Sequence, residues 1–287
     1  MLEKPLTVFR ESVASLLKYC QENGIKNLVT GSSGGLDSAI VLNIAGCAAQ
    51  QSNGEISSYG VCLPIESSID SVRLGTLAIR QASCIELSSP DLETVYREMT
   101  ETVSINTGNT RRIKVAFGNL KARIRMMYLY HLANTFESGP GMVMSTDNLS
   151  EYLMGFWTLH GDVGDYGPIQ QLWKGYELYS LARAIGVPQE IIDAKPDDGL
   201  GVTDGGDEEQ LGASYTIIDH IMNTLLCCDF QPNGSLGQLE NLPKVIGVDP
   251  EIVKHIAKRC LTTAYKRKVP INISRKQLGL PEYDQLT

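Results

Sequence analysis

The chain has 287 residues, of which 43% are hydrophobic and 20% charged, with 12 prolines and a formal net charge of -8. That composition supports a packed globular core and excludes wholesale disorder, and an acidic balance without a basic stripe argues against a nucleic-acid partner. No apolar run approaches the ~20 residues that span a bilayer, and the polar start "MLEKPLTVFRESVASLLKYCQENG" lacks a signal-peptide core, so a cytoplasmic protein with no membrane contact is expected.

In chain order, Val8, Phe9, Val13, Leu16, Leu17 and Cys20 recur at helical spacing and stop at Gly24, a residue that tolerates the left-handed turn closing a helix. "KNLVT" at 26–30 reads as the first strand, and residues 36–51 as a helix that is apolar over most of its surface, as one packed against a sheet must be. "SYGVCLP" at 58–64 is a second strand, Ile69 to Gln81 a helix, "CIEL" at 84–87 a short strand and Asp91 to Val103 a further helix. A long helical pattern from Arg111 to Glu137 precedes the strand "GMVMST" at 141–146, and another helix covers Leu172 to Ile185. Residues 194–212 hold six acids and five glycines and read as a mobile surface loop. A second loop covers 227–243, and 250–270 gives a last helix with a basic end. Strands alternating with helices predict a parallel sheet covered on both faces. Without repeats or Pro-rich linkers, 1–287 is read as a single domain.

Seven cysteines, Cys20, Cys47, Cys62, Cys84, Cys227, Cys228 and Cys260, are odd in number, lack a C-x-x-C pair and fall mostly in apolar runs, so packed, reduced thiols are expected. His131, His160, His220 and His255 lack zinc-motif spacing.

The chemistry concentrates where "LVT" breaks into Gly31-Ser32-Ser33-Gly34-Gly35 and enters a helix through Leu36, Asp37 and Ser38. In a parallel sheet, ligands bind beyond the carboxyl ends of the strands. Glycines there let backbone amides approach anionic oxygens at a helix N-terminus. Phosphate suits such a cradle, yet neither the lysine of a Walker A loop nor a G-x-G-x-x-G pattern is present. Residue by residue, the stretch is equally a flexible turn with Asp37 as a helix-capping acid.

The string Ser33-Gly34-Gly35-Leu36-Asp37-Ser38 after a strand resembles the SGG-x-DS signature of the ATP-pyrophosphatase, or PP-loop, superfamily. The blocks "FGNLKARIRMMYLYHLAN", "STDNLSEYLMGFWTLHGDVGDYGPIQQLWK", "LARAIGVPQEIIDAKP" and "DEEQLGASYTIID" resemble, in order and spacing, those of ammonia-dependent NAD synthetase, from about residue 5 to Pro270. The resemblance implies a Rossmann-like (adenine nucleotide alpha hydrolase-like) α/β fold with additional C-terminal helices. It also implies a C–N ligase in which ATP adenylates the nicotinate carboxylate of deamido-NAD, pyrophosphate leaves, and ammonia attacks the acyl adenylate. No covalent nucleophile is implied, only positioning and charge stabilisation.

Carried over by position, Gly31 to Ser38, Thr146 and Lys174 contact ATP, while Asp37 and Glu151 hold Mg2+, two acids suited to a hard cation. Taken alone, Glu151 is an exposed helix acid, Thr146 a turn cap and Lys174 a surface lysine. Arg123 falls at a position contacting the deamido dinucleotide, with Arg125 as a competitor or an ordinary ion-pair partner. Asp165 reaches its matching acid only through a one-residue gap, and Lys266 corresponds to a substrate lysine donated across a homodimer interface. Three departures stand out. Leu159 replaces a substrate-binding lysine, leaving His160 to take part of its role; Asp197 stands where an ATP-contacting Ser or Thr is expected; and a His-Lys pair becomes Tyr265-Lys266. Only about 27 residues precede the first strand, so no fused glutaminase domain is expected and free ammonium or a separate glutaminase supplies the nitrogen. The alternatives are another adenylating PP-loop enzyme and a non-catalytic nucleotide-binding protein.

Overall fold

The computed structural model describes residues 2–103, 111–197, 199–201, 206–269, 273, 275, 277 and 278. Its centre is a four-stranded parallel sheet in the order β3-β2-β1-β4, built from β1 (Asn27–Gly31), β2 (Ser57–Val61), β3 (Ile85–Leu87) and β4 (Gly141–Val143). Central β1 alternates faces: Leu28 enters one core cluster and Val29 another, the period-2 consequence of a pleated strand.

On the Leu28 face lie α1 (Pro5–Asn23), α2 (Leu36–Gln51) and α3 (Ile69–Gln81). Gly24 closes α1 in the left-handed conformation, as the sequence predicts. α2 is buried nearly all round, which accounts for its unbroken apolar pattern. On the Val29 face lie α4 (Leu92–Val103) and α5 (Arg111–Ala133), the latter ending four residues before the predicted Glu137. Beyond β4 come α6 (Leu149–Met154), a π-helical turn at Lys174–Leu178, α7 (Tyr179–Ala184) and α8 (Gln189–Ile192). The helix expected over Leu172 to Ile185 is therefore interrupted by a wider turn.

The stretch 194–212, expected to be surface loop throughout, contains α9 (Asp207–Leu211), with Asp207 and Leu211 buried. α10 (Tyr215–Cys227) occupies a stretch to which the sequence pattern assigned no element, and α11 (Pro250–Thr262) is the expected last helix. With α6, these helices enclose a further apolar cluster centred on Met154, Ile218, Met222 and Ile256. Cys20, Cys62 and Cys260 are packed thiols, but Cys227 and Cys228 at the end of α10 are exposed, contrary to expectation, because the helix's apolar face has turned away by its last turn. Among the described residues no helix is long and apolar enough to cross a membrane.

Strand order positions the site. The chain leaves β1 toward β2 on one side while β4 lies on the other, so the carboxyl ends of β1 and β4 flank the crevice where strand order reverses.

Candidate active site

The loop after β1 forms one wall of that crevice. Ser32 is tied to β2 and α3, its N–H donating to Val61 O at 2.8 Å and its hydroxyl to Gly75 O at 2.9 Å. The Ser38 hydroxyl donates to Gly35 O at 3.0 Å and accepts from Ser33 N–H at 3.3 Å, folding the cradle back on the helix start. Gly34 has φ 85°, and a Cβ there would stand 2.4 Å from Ser71 O, so this position requires glycine. Gly35 is the N-cap of α2 without a side-chain cap. The first-turn amides of α2 have no intrahelical acceptor, a feature suited to an anion at this end of the helix.

The segment after β4 forms the other wall. Half-buried Thr146 lies between buried Ser145 and Asp147. Buried Asn148 caps α6 by accepting from Glu151 N–H at 3.0 Å, and its amide donates to Asp37 Oδ1 at 3.3 Å. One side chain thus links the two acids expected to hold the cation.

Lys174 completes the arrangement. Its Nζ lies 2.8 Å from Asp37 Oδ2, 2.9 Å from Glu151 Oε1 and 3.9 Å from Asp207 Oδ2, with its side chain only 6% exposed. The Tyr215 ring lies beneath the ammonium, 4.5 Å from its centroid, and the Tyr215 hydroxyl is 3.2 Å from both Glu151 and Asp207. Burial pulls the Lys174 pKa down, but Asp37 and Glu151 outweigh it and hold the ammonium well above its usual range. Burial pushes Glu151 up to about 7 against the opposing pull of Lys174, with Asp37 adding to the rise.

The π-helical turn presenting Lys174 is anchored from below. Lys174 N–H donates to Ser150 Oγ at 3.0 Å, while Asp219 accepts from the Ser150 hydroxyl at 2.5 Å and from Gly175 N–H at 2.6 Å. Asp219 is fully buried, and burial raises its pKa to about 6 despite both bonds. A Cβ on Gly175 would meet the Thr216 backbone at 2.7 Å, so α10 packs directly against the turn.

The expected substrate residues divide. Arg123, His160 and Lys266 converge on the loop following α6. Arg123 Nε donates to Leu159 O at 3.2 Å, Lys266 Nζ donates to Gly155 O at 2.8 Å and Trp157 O at 2.5 Å, and exposed His160 lies in the loop at φ 61°. Burial lowers the Lys266 pKa. Asp165 is engaged elsewhere, accepting from Tyr130 OH at 2.8 Å and Val143 N–H at 3.0 Å beside β4. The Arg125 guanidinium donates to Leu63 O at 2.9 Å, Ile65 O at 3.4 Å and Ser67 Oγ at 3.4 Å. Asp197 is exposed and accepts from Gly199 N–H at 3.0 Å.

Asn148, Ser150, Asp207, Tyr215 and Asp219 were missed by sequence reasoning. Two signals were available: Asn148 three residues before Glu151 is a helix-start pattern, and Asp219 is a lone acid on the apolar face of "YTIIDHIM".

Two carboxylates from separate elements converging on one cationic nitrogen are a hard-oxygen donor pair. Among the described residues no group of three or more Asp, Glu, His or Cys is arranged to hold a metal alone. This donor set fits Mg2+, which is bound through one or two carboxylates with phosphate oxygens completing its shell.

The family model described as NAD synthase matches residues 8–270. The chain belongs to the NAD synthase family. The NH(3)-dependent NAD(+) synthetase of Pyrococcus furiosus is 32% identical over 270 residues, covering 92% of this chain and 94% of that protein. Among solved structures, NMN synthetase from Francisella tularensis superposes with a TM-score of 0.74 at 24% identity, covering 94% of this chain and 98% of that one. An NH3-dependent NAD synthetase from Campylobacter jejuni superposes with a TM-score of 0.69 at 21% identity, covering 94% and 99%. The NAD synthase fold is thus the one observed here, and its reaction class is that of a C–N ligase using ATP as co-substrate.

Proposed function

We propose that this NAD synthase family member is a cytoplasmic, ammonia-dependent enzyme that converts deamido-NAD to NAD, and that the Asp37–Lys174–Glu151 cluster beside the Gly31–Ser38 cradle is its adenylation centre. The observation that carries the assignment is the meeting of these three charged side chains at the crevice between β1 and β4.

The chemistry requires activation because a carboxylate repels nucleophiles and oxide is a poor leaving group. The nicotinate oxygen attacks the α-phosphorus of ATP, the bond to the β-phosphate bridging oxygen breaks, and pyrophosphate departs. The first-turn amides of α2 hold the anionic oxygens of the departing group, with Thr146 on the opposite wall. Asp37 and Glu151 hold Mg2+, which when bound supplies charge neutralisation for the phosphates. Lys174 adds a mobile point charge there. Ammonia then attacks the acyl carbon, the tetrahedral oxyanion collapses with AMP as leaving group, and the nitrogen sheds its proton to solvent. Arg123, His160 and Lys266 place the dinucleotide along the loop after Gly155. Asp165, bonded to Tyr130 OH and Val143 N–H, braces the end of β4. A homodimer completes that face.

The test is NAD formation from ATP, Mg2+ and deamido-NAD with ammonium or glutamine, following AMP and pyrophosphate. The expected result is NAD from ammonium. Asp37→Asn should stay folded and lose pyrophosphate release. Turnover of deamido-NMN in place of deamido-NAD would reassign the acceptor, and ATP cleavage with neither would overturn the reading. Light scattering that shows monomer alone at working concentration would remove the dimer.

A further inference from the structure

Asp207 belongs to the charged cluster; it opens the block "DEEQLGASYTIID", where the sequence assigned it no role. Its placement is built: Gly206 precedes it at φ 78°, a Cβ there would stand 2.6 Å from Pro196 O, and Asp207 N–H donates to that carbonyl at 3.3 Å. The carboxylate is thereby set into the site with its side chain 5% exposed, 3.9 Å from Lys174 Nζ.

We propose that Asp207 is a positioning residue that receives the Lys174 ammonium when a divalent cation takes Asp37 and Glu151. The proposal rests on the reading that those two acids hold the cation. An ammonium at 2.8 and 2.9 Å from their oxygens competes for the same lone pairs, so one cation must yield. A lysine stem of four methylenes can swing while its charge cannot return to water cheaply from a buried site. Asp207 is the remaining acid beside it. Tyr215 joins the two positions, with its ring under the ammonium and its hydroxyl 3.2 Å from Glu151 and from Asp207, so cation–π contact persists along a short swing.

Asp207 Oδ2 lies 3.9 Å from Lys174 Nζ, against 2.8 Å for Asp37 and 2.9 Å for Glu151, so it is the acid left for the ammonium when a cation takes the nearer two. Three carboxylates and one ammonium leave a formal charge of about -2 in the cluster, which a divalent cation balances with the lysine retained. Expelling the lysine is unnecessary if it has an acid to move to.

The test is a double-mutant cycle on Mn2+ affinity, read from the electron paramagnetic resonance of free Mn2+ with the metal alone. Lys174→Met removes the competitor and should tighten Mn2+ binding about tenfold, whereas Asp207→Asn should weaken it about tenfold. In the Lys174→Met background, Asp207→Asn should change affinity by no more than about twofold. An equal weakening in both backgrounds overturns the proposal, because Asp207 would then act on the metal directly. So does an absence of Mn2+ binding in Lys174→Met. Lys174→Gln and Asp207→Ser repeat the cycle if either first choice fails to fold. Asp37→Asn is run alongside: unchanged Mn2+ affinity there strikes the metal assignment and the proposal with it. Loss there combined with an equal Asp207 effect in both backgrounds strikes only the proposal.

Discussion

Gly34→Ala probes the cradle through geometry rather than charge. The added Cβ would stand 2.4 Å from Ser71 O, 3.1 Å from Gly75 N and 3.1 Å from Leu74 Cβ, all on α3. The first of these partners is a helix backbone atom, so either α3 or the cradle must move. The backbone at φ 85° costs an L-residue about 1–2 kcal/mol. Forcing a methyl into a packed site costs about 1–3 kcal/mol more, for a total of about 2–5 kcal/mol. In a chain of 287 residues the loss should lower Tm by roughly 3–8 °C. A displacement of about 1 Å in a positioning element costs about a hundredfold in rate, so kcat/KM for ATP should fall by about that factor. Differential scanning calorimetry and pyrophosphate release measure the two effects. Gly35→Ala is the control: φ is -90° and the nearest atom to its Cβ would be Ser33 Oγ at 3.3 Å, so its Tm should stay close to wild type. A Gly34→Ala protein with unchanged Tm and unchanged pyrophosphate release would refute the claim that contact with α3 fixes the cradle.

Lys266→Met should leave Gly155 O and Trp157 O without their donor, costing about 1–3 kcal/mol. Steady-state kinetics should show KM for the dinucleotide rising about tenfold with KM for ATP nearly constant; equal rises in both would deny a loop-specific role. Asp219 gives a pH signature. Its carboxyl rises from 3.8 unfolded to about 6 folded, so its contribution is fully present below 3.8 and is lost as pH climbs through about 6. Urea melts should show wild type losing about 2–3 kcal/mol relative to Asp219→Asn between pH 4 and 7. A flat difference across that range would show that the folded carboxyl is not perturbed. Asp219→Ala should also release the Lys174 turn, lowering Tm and pyrophosphate release together.

Much of this site was legible because its signals are local. A strand, two glycines and an acid at a helix start are adjacent in sequence, and an apolar run around each strand fixes where the loop lies in the sheet. Asp37 and Glu151 followed from resemblance rather than from spacing, since their meeting depends on β1 and β4 being neighbours. Asp207 was hidden by its setting, six acids and five glycines that average to a solvated loop, although one carboxylate is buried by the turn at Gly206. Lys266 and Arg123 show a different limit. A long cation that ends on backbone carbonyls has no sequence signature, because every residue supplies a carbonyl. The π-helical turn at Lys174–Leu178 was invisible for a related reason, since its apolar spacing passes for an ordinary helix while its anchor, Asp219, lies 45 residues away from Lys174 in sequence.

Under the proposed function, the charge pattern around Lys174 follows from what the site would accept. A triphosphate brings several negative charges to a crevice already lined by Asp37, Glu151 and Asp207, and a single ammonium offsets only one of the three. Placing acids there would oppose binding unless a divalent cation arrives with the nucleotide. With Mg2+ held as proposed, the acids would make phosphate binding conditional on the metal, while the α2 amides alone would accept any small anion. Lys174 keeps the carboxylates paired in a buried place where unpaired charge is costly. Under the proposed metal assignment it must also be free to leave them. The wide turn serves that need, since its backbone is pinned by Ser150 and Asp219 while only the side chain reaches the carboxylates. A fixed backbone with a movable ammonium lets the charge shift while the cradle on the opposite wall keeps its shape.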